Sequence, residues 1–297
     1  MNLIVGATGM VGTEVCRLLA AAGKPVKALV RAASDPAKVT ALEQLGATIA
    51  RGDLRDANSL QAACRGVTHI VSSASSMPFA YAPGQNTPAQ TDRDGAFNLI
   101  DAARGAGVGQ FVYVSVPVSP MPFPLADAKR AVEARLVVES GLAYTILRPT
   151  FFTEIWLGPA LGFDYANRRA AIPGDGDNAI SWISFRDVAH AAVEALDNPA
   201  ARNATLDLGG PQPLTPHEVI RIFEAAGGRQ FEVTHLPAAT LQEQFAAATD
   251  PMQQSLAALM LGYAFASPTD NSAALKALRL SLTTVESYAR QVTGKAK

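Results

Sequence analysis

Gly6-Ala7-Thr8-Gly9-Met10-Val11-Gly12 follows the β-branched run Leu3-Ile4-Val5 and opens into a helical pattern from Met10 to Ala22. Glycines so spaced, between a first strand and a first helix, form the turn where a dinucleotide pyrophosphate meets free backbone N–H groups and the positive end of a helix dipole. Gly6 permits the tight turn, Gly9 lets the backbone approach the pyrophosphate, and Gly12 lets the helix sit close to the strand. Thr8, Met10 and Val11 complete the loop. The competing reading is an ordinary strand-to-helix turn, and the context disfavours it. No Gly-Lys-Ser/Thr follows, so this is not the loop of a nucleotide-hydrolysing enzyme, and Gly23-Lys24-Pro25 reads as a helix-to-strand turn.

Downstream, the chain keeps alternating strands and helices. Strands are expected at Pro25 to Val30, Ala47 to Ala50, His69 to Ser72, Phe111 to Val116 and Tyr144 to Leu147. Helices are expected at Pro36 to Leu45, Ala57 to Cys64, Asp92 to Ala106 and Ala126 to Ser140. Six parallel strands imply two mononucleotide-binding halves, an α/β fold with a doubly wound Rossmann sheet. After Arg148-Pro149 the rhythm breaks into segments rich in Pro, Gly and aromatic residues. A helix from Ile183 to Leu196 and a strand from Ala204 to Leu208 then rejoin the sheet, and Thr215-Pro216-His217-Glu218 offers a capped helix start. The remainder reads as helical, broken at Pro237, Pro251 and Pro268, with Leu256 to Ala266 as a buried helix. Residues 1–150 and 182–208 are therefore expected to form the dinucleotide-binding domain, and 151–181 and 209–297 a smaller C-terminal substrate lobe.

The end of the second strand selects the dinucleotide, because an acid there binds the ribose 2′-hydroxyl of NAD whereas an Arg accommodates the 2′-phosphate of NADP. Arg31 stands there, so NADP(H) is the expected cofactor; the nearest acid, Asp35, precedes Pro36 and reads as a helix cap. A plain surface charge is the alternative account of Arg31.

Composition removes other classes. Of 297 residues, 48% are hydrophobic and 17% charged, which is enough apolar surface for a core and excludes disorder as the main state. Lys and Arg number 25 against 26 Asp and Glu, with no basic run to follow a phosphate backbone, so no nucleic acid is expected as a direct partner. Cys16 and Cys64 form no CxxC pair, no signal-peptide pattern opens the chain and no apolar run reaches the ~20 residues of a membrane span, so a cytoplasmic monomer or homodimer is expected. His69, His190, His217 and His235 lack metal-ligand spacing, no Gly-x-Ser-x-Gly elbow occurs, and Asp187 with His190 reads as a surface pair.

With these motifs the sequence resembles the atypical short-chain dehydrogenase/reductase superfamily, in particular its NmrA-like branch of quinone oxidoreductase-like and isoflavone reductase-like proteins. The resemblance covers most of the chain and rests on the glycine loop, Gly52-Asp53-Leu54-Arg55-Asp56, Val112-Tyr113-Val114-Ser115 and Gly141-Leu142-Ala143-Tyr144-Thr145-Ile146-Leu147-Arg148-Pro149. It implies that Asp53 and Leu54 border the adenine, that Ser72, Ser73 and Ala74 line the path to the nicotinamide ribose, and that Pro149, Phe151 and Phe152 flank the nicotinamide. Taken alone, Asp53 reads equally as a loop acid capping the helix after Asp56.

The superfamily usually places a Tyr four residues before a Lys on the helix after the fifth strand, where the Lys lowers the phenol's pKa for proton transfer. Here Lys129 is present and Leu125 stands in the Tyr position, while Tyr113 lies in a strand and reads as core. That departure argues against alcohol dehydrogenation and sugar-nucleotide epimerisation. Ser115 without a base partner is a poor acid and suits a cofactor contact instead. Lys129 would bond the ribose and steady a developing oxyanion or enolate; a solvent-exposed lysine like Arg130 beside it is the plainer account.

Two functions fit. One is an NADPH-dependent reductase of a quinone or a conjugated double bond, with Tyr81, Phe151, Phe152 and Trp156 around a small flat substrate and the loop Met77 to Thr91 as its lid. The other is an NADP(H)-binding sensor without chemistry of its own. The aromatic residues favour the reductase, although they read equally well as lobe core.

Overall fold

Short apolar strands of the first half pair side by side in parallel because flanking helices bury both of their faces. The structure, a computed structural model, describes residues 1–77 and 86–294. Its strands are β1 (Asn2–Val5), β2 (Val26–Val30), β3 (Thr48–Arg51), β4 (His69–Ser72), β5 (Gln110–Val114), β6 (Tyr144–Pro149), β7 (Phe163–Asp164), β8 (Arg169–Pro173), β9 (Ala204–Leu208) and β10 (Glu232–Leu236). Its helices are α1 (Met10–Ala21), α2 (Pro36–Gln44), α3 (Ala57–Cys64), α4 (Ala96–Gly105), α5 (Pro124–Ala134), α6 (Thr153–Trp156), α7 (Phe185–Glu194), α8 (Pro216–Gly227), α9 (Ala238–Ala247), α10 (Pro251–Ala264), α11 (Ser272–Ala277) and α12 (Val285–Val292).

Seven strands form one parallel sheet in the order β3-β2-β1-β4-β5-β6-β9. Chain direction across the sheet reverses between β1 and β4, the switch point outside whose carboxyl ends ligands of such sheets bind. Alternation along the strands builds two cores. Ile4, Ala28, Val30, Val71, Val112 and Val114 face α1 and α7, while Leu3, Val5, Ile70, Phe111, Tyr113 and Ile146 face α3, α4 and α5.

The doubly wound sheet matches the sequence reading, and several element boundaries do not. Strand β5 ends at Val114, so Ser115 and Val116 lie beyond it. The single helix expected over Asp92 to Ala106 is a π-helical segment, Pro88–Gly95, running into α4. Similarly, α5 starts at Pro124, which fits the first helical position because it lacks an N–H, and passes into a π-helical turn, Arg135–Glu139, before Ser140.

The reading of the remainder as helical is corrected by a three-stranded sheet, β10-β8-β7, in which β8 and β10 run parallel. Strand β10 joins β8 from more than sixty positions away, and β7, only two residues long, turns back antiparallel onto β8, so no local apolar run announces them. They pack with α8 and α12 around Phe163, Phe223 and Tyr288. The cap at Thr215 forms as expected: its hydroxyl accepts the Glu218 N–H at 3.1 Å, and Glu218 accepts the Thr215 N–H at 2.8 Å. Pro237 precedes α9, Pro251 opens α10 behind the Asp250 cap, and Pro268 lies between helices. Helix α10 is only partly buried, with Leu256 on its exposed side.

Candidate functional site

The glycine loop leaves β1 at the switch point, and its backbone explains each glycine. Gly6 has φ of 86°, and a Cβ there would stand 2.8 Å from the Ala74 nitrogen. A Cβ on Gly12 would stand 2.1 Å from the Gly6 oxygen, so α1 can sit on the loop only without one. At Gly9 the only neighbour among the described residues is that same oxygen, at 3.3 Å. A side chain at Gly9 would thus project outward, into the space before α1. That helix has no side-chain cap and no acid in its first turn, which leaves N–H groups available to an anion. The loop therefore fits the pyrophosphate of a dinucleotide. Thr8 is half-buried, Met10 exposed and Val11 buried under the loop.

Arg31 follows the end of β2, is exposed and makes no ion pair among the described residues. Asp53 is clamped by Arg55 at 3.0 and 2.9 Å, and this bond chiefly holds its carboxyl below the usual range, with Arg31 adding a smaller pull. Asp53 is thus not the cap of α3. Asp56 takes that role, accepting the Asn58 and Ser59 N–H groups, as Asp35 accepts that of Ala37 in α2. Leu54 is buried, and Asn98 of α4 donates to its carbonyl at 3.0 Å.

Lys129 is not a solvent-exposed lysine. Only 3% of it is exposed; its Nζ lies 3.3 Å from the Ala74 oxygen, 3.4 Å from the Val114 oxygen and 3.2 Å from Asp92 Oδ1. It also stands over the Tyr113 ring, 5.0 Å from the centroid. The helix brings Lys129 to Ala74 in the segment after β4; Ser72, which ends β4, is buried, and the Ser73 N–H donates to the Val5 carbonyl at 2.9 Å. Tyr113 is core, as expected; burial is the main cause pushing its phenol well above the usual range, and among the described residues its hydroxyl has no hydrogen-bond partner.

Leu125 is buried among Phe123, Ala126 and Ala258, and its N–H donates to Ser255 of α10 at 3.1 Å. The position of a proton-donating Tyr is thus filled by an aliphatic side chain wedged against α10. Nor is Arg130 a plain surface charge. It is half-buried, donates to Ser115 Oγ at 2.9 Å and to the Val116 carbonyl, and pairs with Glu133 at 2.7 Å. Arg148 grips the same Glu133 at 3.1 and 2.5 Å. Ser115 therefore takes a hydrogen bond from a cation, with no base beside it among the described residues.

Beyond Pro149, which is buried at the end of β6, the extended chain sends neighbouring aromatic rings apart. Phe151 meets Trp156 edge-on at 4.9 Å and Tyr263 at 5.8 Å, in a cluster completed by Trp182. Phe152 instead packs against the α1 and α7 core. Phe151 and Trp156 thus come together against the lobe core, and Phe152 lies apart from them. Tyr81, and residues 78–85 of the loop read as a lid, lie outside the described residues.

The Asp187–His190 surface pair is also corrected. Asp187 is buried and accepts the Thr283 N–H at 2.7 Å and the Thr283 hydroxyl at 2.8 Å, while His190 is exposed. A helix position seven residues short of the next loop gives no sign of a partner 96 positions away. Sequence reasoning missed Asp92, Glu133, Trp182 and Tyr263. For Glu133 a signal existed: Lys129, Arg130 and Glu133 fall three and four apart, on one helix face. For Asp92 there was none, since Asp92, Arg93 and Asp94 are consecutive charges and only the fold selects which is buried.

The chain is 37% identical over 272 residues to the NAD(P)H azoreductase of Xenophilus azovorans, covering 90% of this chain and 88% of that one. It is 28% identical to quinone oxidoreductase 2 of Escherichia coli over 237 residues, 80% of this chain and 78% of that one. The structure of that NADPH-dependent quinone oxidoreductase in complex with NADPH superposes with a TM-score of 0.76, at 25% identity and with 98% and 99% of the two chains covered. Triphenylmethane reductase of Citrobacter, at 23% identity, shares the fold with a TM-score of 0.77, over 98% and 99% of the chains. The signature of the NmrA-like family runs from residue 2 to residue 289, through the glycine loop, the Lys129 helix and the aromatic lobe alike, and this chain belongs to that family.

Proposed function

We propose that this protein is an NADPH-dependent reductase of a small, flat, apolar acceptor such as a quinone, a conjugated double bond or an azo group. The observation that carries this reading is a buried ammonium, Lys129, at the carboxyl ends of β4 and β5, with aliphatic Leu125 in place of a proton-donating tyrosine. Bound NADPH supplies the hydride. The backbone from Gly6 to Gly12 holds its pyrophosphate, Arg31 takes the 2′-phosphate, Asp53 and Leu54 border the adenine, and Ser72 to Ala74 with Ser115 line the ribose path. Pro149, Phe151 and Phe152 flank the nicotinamide, while Trp156 and Tyr81 belong to the acceptor's side of the cleft. Lys129 bonds the ribose, and its charge steadies the negative charge arriving on the acceptor. Water or Lys129 supplies the proton, which suits acceptors that take hydride without a strong protein acid.

Residues 1–150 and 182–208 make the cofactor unit, and 151–181 with 209–297 the substrate-side lobe, in a cytoplasmic monomer or homodimer. Among the described residues no helix is long and apolar enough to cross a membrane. A second reading, an NADP(H) sensor without chemistry, rests on the contacts of the Lys129 ammonium with three protein oxygens.

NADPH oxidation against quinones, enones and azo dyes tests the reductase. Turnover of at least one class is expected, and its loss in Lys129→Ala with a modest loss of affinity. NADPH binding without turnover on any of them favours the sensor. Arg31→Ala should weaken NADPH roughly 10- to 100-fold, the value of a charge-assisted hydrogen bond, and leave NADH unchanged. Equal calorimetric affinities of the parent for NADPH and NADH would remove Arg31 from the site.

A further inference from the structure

We propose that Asp92 is a positioning residue: its buried carboxylate holds the Lys129 ammonium in place at the nicotinamide end of the cofactor cleft. The proposal rests on the reading of Lys129 given above. Asp92 is carried on the π-helical segment before α4, a backbone form rare in general and frequent at functional sites. Its side chain is fully buried, as is 96% of the Lys129 side chain. Two charges taken out of water are tolerated only face to face, so Asp92 is what makes a buried ammonium possible at this place. Asp92 Oδ2 is fixed by the Ser76 N–H at 2.9 Å, which aims Oδ1 at Lys129.

The geometry argues for more than a structural staple. Among the described residues, the three oxygens around Nζ lie 3.2 to 3.4 Å away, at the long end of hydrogen bonding, and Asp92 Oδ1 has no well-directed hydrogen bond. The ammonium is restrained by charge rather than locked by direction, so it can turn toward a ribose hydroxyl while keeping its counter-charge. One of its partners, Ala74, also packs against Gly6, so the same short segment joins the ammonium to the phosphate loop. Neutralising Asp92 leaves the ammonium unpaired in a dry site and displaces it from that segment.

A double-mutant cycle with Asp92→Asn, Lys129→Met and the double variant, together with Asp92→Glu, tests this. NADPH affinity is read by fluorescence titration, and kcat and KM are measured on whichever acceptor the parent reduces. Asp92→Asn should weaken NADPH on the order of tenfold and lower kcat more than it raises KM, with partial recovery in Asp92→Glu. In the Lys129→Met background Asp92→Asn should change affinity no further. Parental affinity and kcat in Asp92→Asn would overturn the proposal, as would an undiminished effect in the Lys129→Met background. If Asp92→Asn does not fold, the double variant decides: affinity equal to that of Lys129→Met supports the proposal, and lower affinity refutes it. A parent that binds NADPH but reduces nothing defeats the reductase reading alone, because the affinity cycle still tests Asp92.

Discussion

Gly9 and Gly12 occupy the same loop under opposite constraints. Gly12 is hemmed in by the protein, with a Cβ 2.1 Å from the Gly6 oxygen, whereas the room at Gly9 is bounded only by that oxygen at 3.3 Å. Gly12→Ala must therefore push α1 off the loop, at a cost of about 1–3 kcal/mol for overpacking, and lower the melting temperature. Gly9→Val keeps the fold and fills the place of the pyrophosphate. Thermal unfolding and NADPH titration of both variants separate the two effects: Gly9→Val should melt near the parent and bind no NADPH. Retained binding in that variant would reject the phosphate loop. The glycine spacing is legible in the sequence because it is local. Which glycine faces protein and which faces cleft depends on Ala74 and on the seat of α1.

Within the helices, α7 shows how a tertiary partner changes the chemistry of one side chain. Asp187, in its first turn, is buried against Thr283, and burial raises its carboxyl pKa against the opposing pull of the Thr283 hydrogen bonds. A folded-state pKa above the unfolded one means that the fold holds this proton more tightly. The associated stability is fully present below the ordinary Asp value of about 4 and is lost as pH rises through the raised value. Asp187→Asn removes that dependence and, because an amide oxygen replaces two carboxylate oxygens, adds a constant offset. Melting temperatures measured between about pH 4 and pH 7 should show the parent losing ground to Asp187→Asn as pH rises. A difference that stays flat with pH would contradict the burial argument.

Across the molecule, each face of the main sheet carries a buried thiol. Cys16 of α1 lies in one core and Cys64 of α3 in the other, and burial pushes their pKa values up to about 12 and about 11. Only the thiolate attacks, so labelling near pH 8 requires the face to open. Native protein should label at least about a thousandfold more slowly than denatured protein, the fraction unfolded being that small. If the sheet with its two helical layers is one cooperative unit, both thiols label at the same rate, as mass spectrometry of timed samples would show. Fast labelling of Cys64 alone would mean that the α3 and α4 layer opens by itself.

The doubly wound sheet was legible from residue order because a parallel strand buried on both faces must be a short apolar run, and the helix crossing to the next strand must be amphipathic. The glycine loop was legible because its spacing is local, and the aliphatic Leu125 four residues before Lys129 can be read directly from residue order. Strands β7, β8 and β10 were not, since β10 finds β8 from more than sixty positions away, β7 has only two residues, and their side chains carry no period. Nor were the partners of Lys129: the sequence singles out the lysine, but only the fold sets Asp92, Ala74 and Val114 around its ammonium. Local pattern decides which faces of the chain are apolar; which charges are taken out of water, and against what partners, is decided only when distant segments pack, because the desolvation of an ion depends on everything around it and not on its neighbours in sequence.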